Sequence, residues 1–200
     1  TTCVTDDAEA LIDCPDIDVI VEATGDPKTG IRFALAAIAH GKHIVMVNVE
    51  ADALAGPLLA RKAQSAGVIY SLAWGDQPAL ICEQVDWARA CGFRVISAGK
   101  GTRYHPTYHR SNPDTVWDIL DKYLRIDDRA SINPKMFNSF IDGTKSGIEM
   151  TAVCNATGLV PQSGGLTFPP ASRFDLADIC KPRAEGGALE KAGVTEVVSS

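Results

Sequence analysis

Apolar and polar positions fall into alternating blocks along the first part of the chain. The run Asp18-Val19-Ile20-Val21-Glu22-Ala23-Thr24 is β-branched and apolar, and it stops in Gly25-Asp26-Pro27. A short apolar run bounded by turn formers predicts a buried strand. Ile31, Ala34, Leu35 and Ile38 then recur at i, i+3, i+4 and i+7, so Pro27 opens a helix that reaches about His40 and closes on Gly41. Lys42 to Asn48 forms a second strand, a helix from about Asp52 to Ala66 ends at Gly67, and Val68 to Trp74 forms a third strand. Ahead of these, residues 5–14 carry an N-cap and an acidic first turn, which predict a short helix stopped by Pro15-Asp16. Apolar strands alternating with helices predict an α/β fold over residues 1–77, the second half of a doubly wound parallel sheet covered on both faces.

From Pro78 the pattern changes. A helix from Ala79 to Cys91 is capped by Gly92 and leads through Phe93-Arg94-Val95-Ile96-Ser97-Ala98-Gly99 into a polar segment, residues 100–111. Asp114 caps a short helix to about Leu124, and a long helix is predicted from Pro134 to about Thr157. Residues 78–160 are thus read as an α+β substrate-binding domain. The Pro/Gly-rich run 161–172 and the polar tail predict loops and a linker over 161–200.

Composition narrows the function. The chain has 200 residues, 46% apolar and 22% charged, with a net charge of −6. No basic stripe is present to follow a polymer of phosphates, which argues against nucleic acid and acidic membranes, while a small anionic ligand needs only a local cluster of cations. The six cysteines include no C-x-x-C pair and read as reduced thiols of a cytoplasmic protein. No signal peptide or long apolar span is evident, so no membrane is expected. The chain begins at Thr1-Thr2-Cys3 and holds no G-x-G-x-x-G, so a phosphate-cradling first βα unit is expected upstream.

Three groups of residues can carry chemistry. Thr24, Gly25 and Asn48 stand at strand ends, where open α/β sheets meet the nicotinamide half of a dinucleotide, although a packed turn would look the same. Lys100, Arg103, Tyr104, His109, Arg110 and Ser111 concentrate cationic and hydroxyl donors, suited to a phosphate or carboxylate or simply to an exposed basic loop. His105 and His109 have helical metal-ligand spacing, but Pro106 lies between them and no carboxylate accompanies them, so no metal is assigned there. On the long helix Lys135, Asn138, Asp142, Lys145 and Glu149 recur at intervals of three and four. That stripe is either a solvated face of ion pairs or a ligand-facing one. In the second case Lys145 beside Asp142 is an acid/base for carbinol–carbonyl interconversion.

The strands ending in Glu22-Ala-Thr-Gly25 and Gly41-Lys-His-Ile-Val-Met-Val-Asn48, with Ala66-Gly-Val-Ile-Tyr70, resemble the later half of the dinucleotide domain of homoserine dehydrogenases. Gly99-Lys-Gly-Thr-Arg-Tyr104 is similar to their Asn-Gly-Thr-Thr-Asn-Tyr motif. Gly75-Asp-Gln-Pro-Ala, Tyr108-His-Arg-Ser and Asn133-Pro-Lys-Met-Phe-Asn-Ser-Phe-Ile-Asp-Gly-Thr-Lys-Ser146 resemble the 1-deoxy-D-xylulose 5-phosphate reductoisomerase-like subgroup. The resemblance implies a Rossmann-type sheet followed by a substrate and dimerisation domain, and an NADPH-dependent oxidoreductase, with NAD as the other cofactor. It implies a sugar-phosphate substrate for isoprenoid precursor synthesis, Mg²⁺ or Mn²⁺ as in reductoisomerases generally, and a homo-oligomer. In that frame Lys145, Asp142 and Lys135 are catalytic, while Asn138 and Glu149 join the 100–111 cluster around substrate. Homoserine dehydrogenases carry a Lys after the Asn that ends the second strand, where this chain has Val49-Glu50, and their catalytic Asp and Lys lie four apart rather than three. Two other readings stay open: a dehydrogenase of homoserine or another small hydroxy acid, and a ligand-binding sensor without chemistry.

Overall fold

The computed structural model describes residues 2–123 and 129–199. The chain folds into two compact units, Thr1–Asp86 with Thr151–Gly158, and Trp87–Met150 with Leu159–Ser200.

The first unit opens with helix α1 (Ala8–Asp13), whose N-terminus is capped by the Asp7 side chain. Three parallel strands follow, β1 (Val19–Glu22), β2 (His43–Met46) and β3 (Tyr70–Leu72), in the order β1-β2-β3. Helix α2 (Pro27–Ala39) connects the first pair and α3 (Val49–Ser65) the second. Strand order advances one way, so right-handed crossovers place both helices on one face. Ile20, Ile44 and Met46 are buried beneath them with Ala34, Ala37, Leu59 and Ala63. On β1 the alternate residues Val19 and Val21 are exposed. Helix α3 starts three residues earlier than its apolar pattern suggests, because the Asn48 side chain accepts the Ala51 amide and caps it there. Helix α4 (Gln77–Ala90) follows β3.

The second unit is built on two parallel strands, β4 (Ser97–Thr102) and β5 (Val194–Ser199), paired over their full lengths from Ser97 opposite Val194 to Thr102 opposite Ser199. The sequence pattern predicts loops and a linker at 161–200, yet β5 is buried from Val194 to Val198. Its neighbours explain this: β4 lines one edge, and isolated bridges from Val160 and Pro170 meet it as well. At Gly99 a Cβ would lie 1.7 Å from the Glu196 carbonyl oxygen, so this pairing requires glycine. A short helix, α5 (Trp117–Tyr123), supplies buried Ile119 and Leu120. Its expected last residue, Leu124, lies outside the described residues.

The long helix expected over 134–157 is two helices, α6 (Pro134–Ile141) and α7 (Thr144–Thr157). Gly143 separates them at φ +91°, where a side chain is strained. Asp142 closes α6 and accepts the Thr144 amide through Oδ1 at 2.8 Å, opening α7. A spacing of three and four runs through this junction unchanged, so the periodicity gives no sign of the break.

Candidate functional site

At the strand ends of the first unit, alternation along β1 turns Glu22 inward with Ile20. Glu22 is 2% exposed; its Oε1 accepts the Thr24 amide at 2.9 Å, and its buried Oε2 has no hydrogen-bond partner. A Cβ at Gly30 would lie 2.7 Å from that oxygen and 2.8 Å from Asn48 Nδ2, so glycine lets α2 settle against both. Asn48 donates to the Asp26 carbonyl at 3.0 Å while capping α3, which ties the turns after β1 and β2 together. Asp26 in turn caps α2; hydrogen bonds from Thr29 hold its carboxyl below the usual range. Thr24 and Gly25 are exposed, and nothing lies within 4 Å of a Cβ built on Gly25. The turn is therefore bare backbone that a flat ring can approach closely, which fits the nicotinamide end of a dinucleotide. Of the residues expected there, Thr24 and Gly25 face outward, whereas Asn48 holds the turns in place. Glu22 is not among the expected residues, although its position two residues after Ile20 in an alternating strand marks it as inward-facing.

In the second unit the expected polar stripe does not exist as one face, because Gly143 ends α6 and redirects the chain. Asp142 is committed to that junction. Its Oδ2 accepts from Asn138 Nδ2 at 2.9 Å, its Oδ1 from Thr144, and its carbonyl meets His109 Nδ1 at 3.1 Å. The carboxylate thus positions the start of α7. Lys135 is exposed on α6, and Lys145 is half-buried in the first turn of α7.

One turn further along α7, Glu149 is ion-paired with Lys100 of β4, the two side chains being 4% and 19% exposed. The sequence puts both near substrate, Lys100 as a free cation; the structure instead joins them as a nearly buried pair, so Lys100 brings no net positive charge. Such a pair is weak evidence for stability and stronger evidence for a site.

In the same unit, Ser111 and Asn138 meet through a 3.3 Å bond from Asn138 Nδ2 to the Ser111 carbonyl. Ser111 Oγ and Asn138 Oδ1 are both buried without a partner, a hydroxyl and an amide oxygen left to be satisfied by something else. Tyr104 stacks on Phe168 with ring centroids 4.0 Å apart and planes at 18°. Phe168 itself fits because Gly143 has no Cβ, which would lie 3.1 Å from the ring. Pro106–Arg110 forms a 3-10 turn that leaves His109 and Arg110 exposed, and Arg103 is exposed just after β4.

Among the described residues no group of three His, Cys, Asp or Glu side chains could hold a metal ion. His105 Nδ1 meets Thr107 Oγ1 at 2.7 Å, and Glu149 and Asp142 are engaged as above. All six cysteines are free thiols, Cys3 and Cys91 exposed. Among the described residues no helix is long and apolar enough to cross a membrane.

Comparison with known proteins matches two successive stretches of the chain to two families. Residues 75–200 match the family described as oxidoreductase DRL, catalytic domain, and residues 1–72 match the NAD binding domain of homoserine dehydrogenase. Homoserine dehydrogenase of Synechocystis sp. is 40% identical over 68 residues, 34% of this chain and 16% of that enzyme. The match therefore spans under a fifth of that enzyme's length. The oxidoreductase yvaA of Bacillus subtilis aligns over 60% of this chain and 38% of its own, at 20% identity and a TM-score of 0.34.

Proposed function

The chain belongs to the oxidoreductase DRL family, and on that premise we propose that the protein reduces the carbonyl of a small, hydroxylated sugar phosphate with NADPH. The observation that carries this reading is the buried Lys100–Glu149 pair in the region matching the catalytic domain. An ammonium fixed by a carboxylate is a positioned proton donor to a carbonyl oxygen, and the neutral amine left behind, still held by the carboxylate, takes the proton back in the reverse direction. Lys145, four residues before Glu149 on α7, lies on the same helix face and adds a second cation on that side. Arg103, Arg110 and His109 on the exposed segment after β4 supply donors for a phosphate. The unsatisfied oxygens of Ser111 and Asn138 accept from substrate hydroxyls, and Tyr104, stacked on Phe168, walls the same segment.

A bound reduced nicotinamide supplies the hydride, and Thr24 and Gly25 are the residues of this chain that would hold its ring. Asn48 and Glu22 keep their turn in shape. Among the described residues no set of ligands converges to hold a divalent ion, so no step is assigned to Mg²⁺ or Mn²⁺. The free thiols and the absence of a basic stripe support a cytoplasmic protein that binds no nucleic acid. We further propose that it works as a homo-oligomer.

The test is reduced-nicotinamide absorbance with 1-deoxy-D-xylulose 5-phosphate, and separately with homoserine. Oxidation with the sugar phosphate, lost in Glu149→Gln and Arg103→Ala variants that keep their circular dichroism, supports the reading. Turnover of homoserine alone favours the second reading, to which the match over residues 1–72 lends weight. Cofactor binding with no turnover of either substrate leaves a sensor.

A further inference from the structure

Asn138 and Ser111 of the second unit each hold a polar atom that the fold leaves unsatisfied, and the two atoms differ in what they can bind. Asn138 is 6% exposed. Its Nδ2 uses both hydrogens, one on Asp142 Oδ2 at 2.9 Å and one on the Ser111 carbonyl at 3.3 Å. Turning the amide over would set its oxygen against a carboxylate and a carbonyl oxygen, so the side chain has one stable orientation. Asp142 is fixed in turn, since its Oδ1 accepts the Thr144 amide at 2.8 Å. Asn138 Oδ1 is therefore held on the other edge of the amide, buried, with no hydrogen-bond partner among the described residues. A carboxylate accepting from Nδ2 polarises the amide and makes that oxygen a stronger acceptor. The Ser111 hydroxyl, also buried without a partner there, can both donate and accept. Ser111 directly follows the exposed turn Pro106–Arg110 and is itself half-buried, so it links the surface to the buried amide.

We propose that Asn138 and Ser111 form an alcohol subsite, which holds the hydroxylated carbons of the substrate and turns away both its phosphate and its carbonyl oxygen. The identity of this occupant rests on the function proposed above, and the subsite fixes which part of that substrate lies here. Asn138 Oδ1 offers only lone pairs. A phosphate dianion, a carboxylate or a carbonyl oxygen placed on it would set lone pairs against lone pairs in a buried place, whereas a hydroxyl brings the missing proton. The same hydroxyl, or its neighbour on the next carbon, accepts from Ser111 or donates to it, because an alcohol plays both roles. A deoxy analogue leaves both oxygens unpaired when it binds, so the subsite selects against it. The anionic end of the substrate is left to the cations of the exposed segment, Arg103 and Arg110.

Calorimetric titration of the protein with xylitol 5-phosphate, a polyol phosphate with no carbonyl to reduce, and with pentyl phosphate, which has no hydroxyl, tests the subsite without turnover. The polyol phosphate is expected to saturate and to bind about tenfold more tightly than pentyl phosphate. Ser111→Ala should weaken the polyol phosphate about fivefold and leave pentyl phosphate unchanged. It should melt no lower than the parent, since it deletes a hydroxyl that has no partner in the fold. Asn138→Ala should weaken the polyol phosphate further. Asn138 also holds Asp142, so Ser111→Ala decides the matter if that variant fails to fold. No saturation by xylitol 5-phosphate, equal affinity for the two phosphates, or an unchanged dissociation constant in Ser111→Ala overturns the proposal and leaves the two oxygens to water. If 1-deoxy-D-xylulose 5-phosphate is not reduced while the polyol preference and its loss in Ser111→Ala persist, the subsite stands and the proposed reaction falls.

Discussion

Asn155 donates its side-chain amide to the Ala53 carbonyl at 3.2 Å. That carbonyl is the one Pro57, four residues on within α3, cannot reach with an N–H. A side chain from α7 therefore fills the helical hydrogen bond that proline removes. Asn155→Ala should cost about 1 kcal/mol by urea unfolding. In a Pro57→Ala background, where the helix bonds Ala53 itself, the same substitution should cost clearly less, and a double-mutant cycle reads the difference. Equal costs in both backgrounds would remove the explanation.

Breaking the Lys100–Glu149 pair from one side leaves a charge inside the second unit. Lys100→Ala should destabilise by about 3–5 kcal/mol in denaturant, as expected for an uncompensated buried charge. The combined Lys100→Met and Glu149→Leu variant should recover most of that stability while losing turnover. Recovery of activity with stability would show that the pair is structural.

Burial raises the Asp52 carboxyl above its usual range, with the Tyr70 hydrogen bond opposing. The folded state therefore binds this proton more tightly than the unfolded chain. Its contribution is complete below the unfolded value of about 4 and is lost as pH rises through the folded value. Asn keeps an oxygen for Tyr70 and carries no charge. Asp52→Asn should thus melt higher than the parent at pH 7 and coincide with it near pH 3. A variant that melts lower at pH 7 would contradict the sign.

At the α6–α7 junction, Gly143→Ala should cost about 1–2 kcal/mol, since alanine at φ +91° is strained and its Cβ presses on Phe168. Asp142→Asn should be milder, because an amide oxygen can still accept the Thr144 amide. Thermal melts of the two variants give the order, and the reverse order would deny the glycine its role.

The strands of the first unit are legible in the sequence because their apolar runs are local and end in residues that cap helices, Asp26 and Asn48 among them. The α6–α7 break is not. Gly143 sits where the polar spacing continues, and only its backbone conformation and the ring of Phe168 reveal the turn. Lys100 and Glu149 both read as site residues, but their pairing belongs to a strand and a helix far apart in sequence, which no spacing encodes. Strand β5 is hidden because Thr195 and Glu196 are polar. Glu196 is buried by accepting hydrogen bonds from Gln162 and from Thr167, partners invisible to a local pattern.

The pairing of β4 with β5 also sets an order of events. Ser97 must wait for Val194, so the sheet described in the second unit closes only after the whole stretch of chain between its two strands has been made. Loops of that length delay pairing, and a nascent chain holding β4 alone exposes a strand edge in the meantime. Strands β1 to β3, close together along the chain, can thus pair early, whereas a stop codon before Val194 would leave β4 an unpaired strand that chaperones and proteases treat as unfinished.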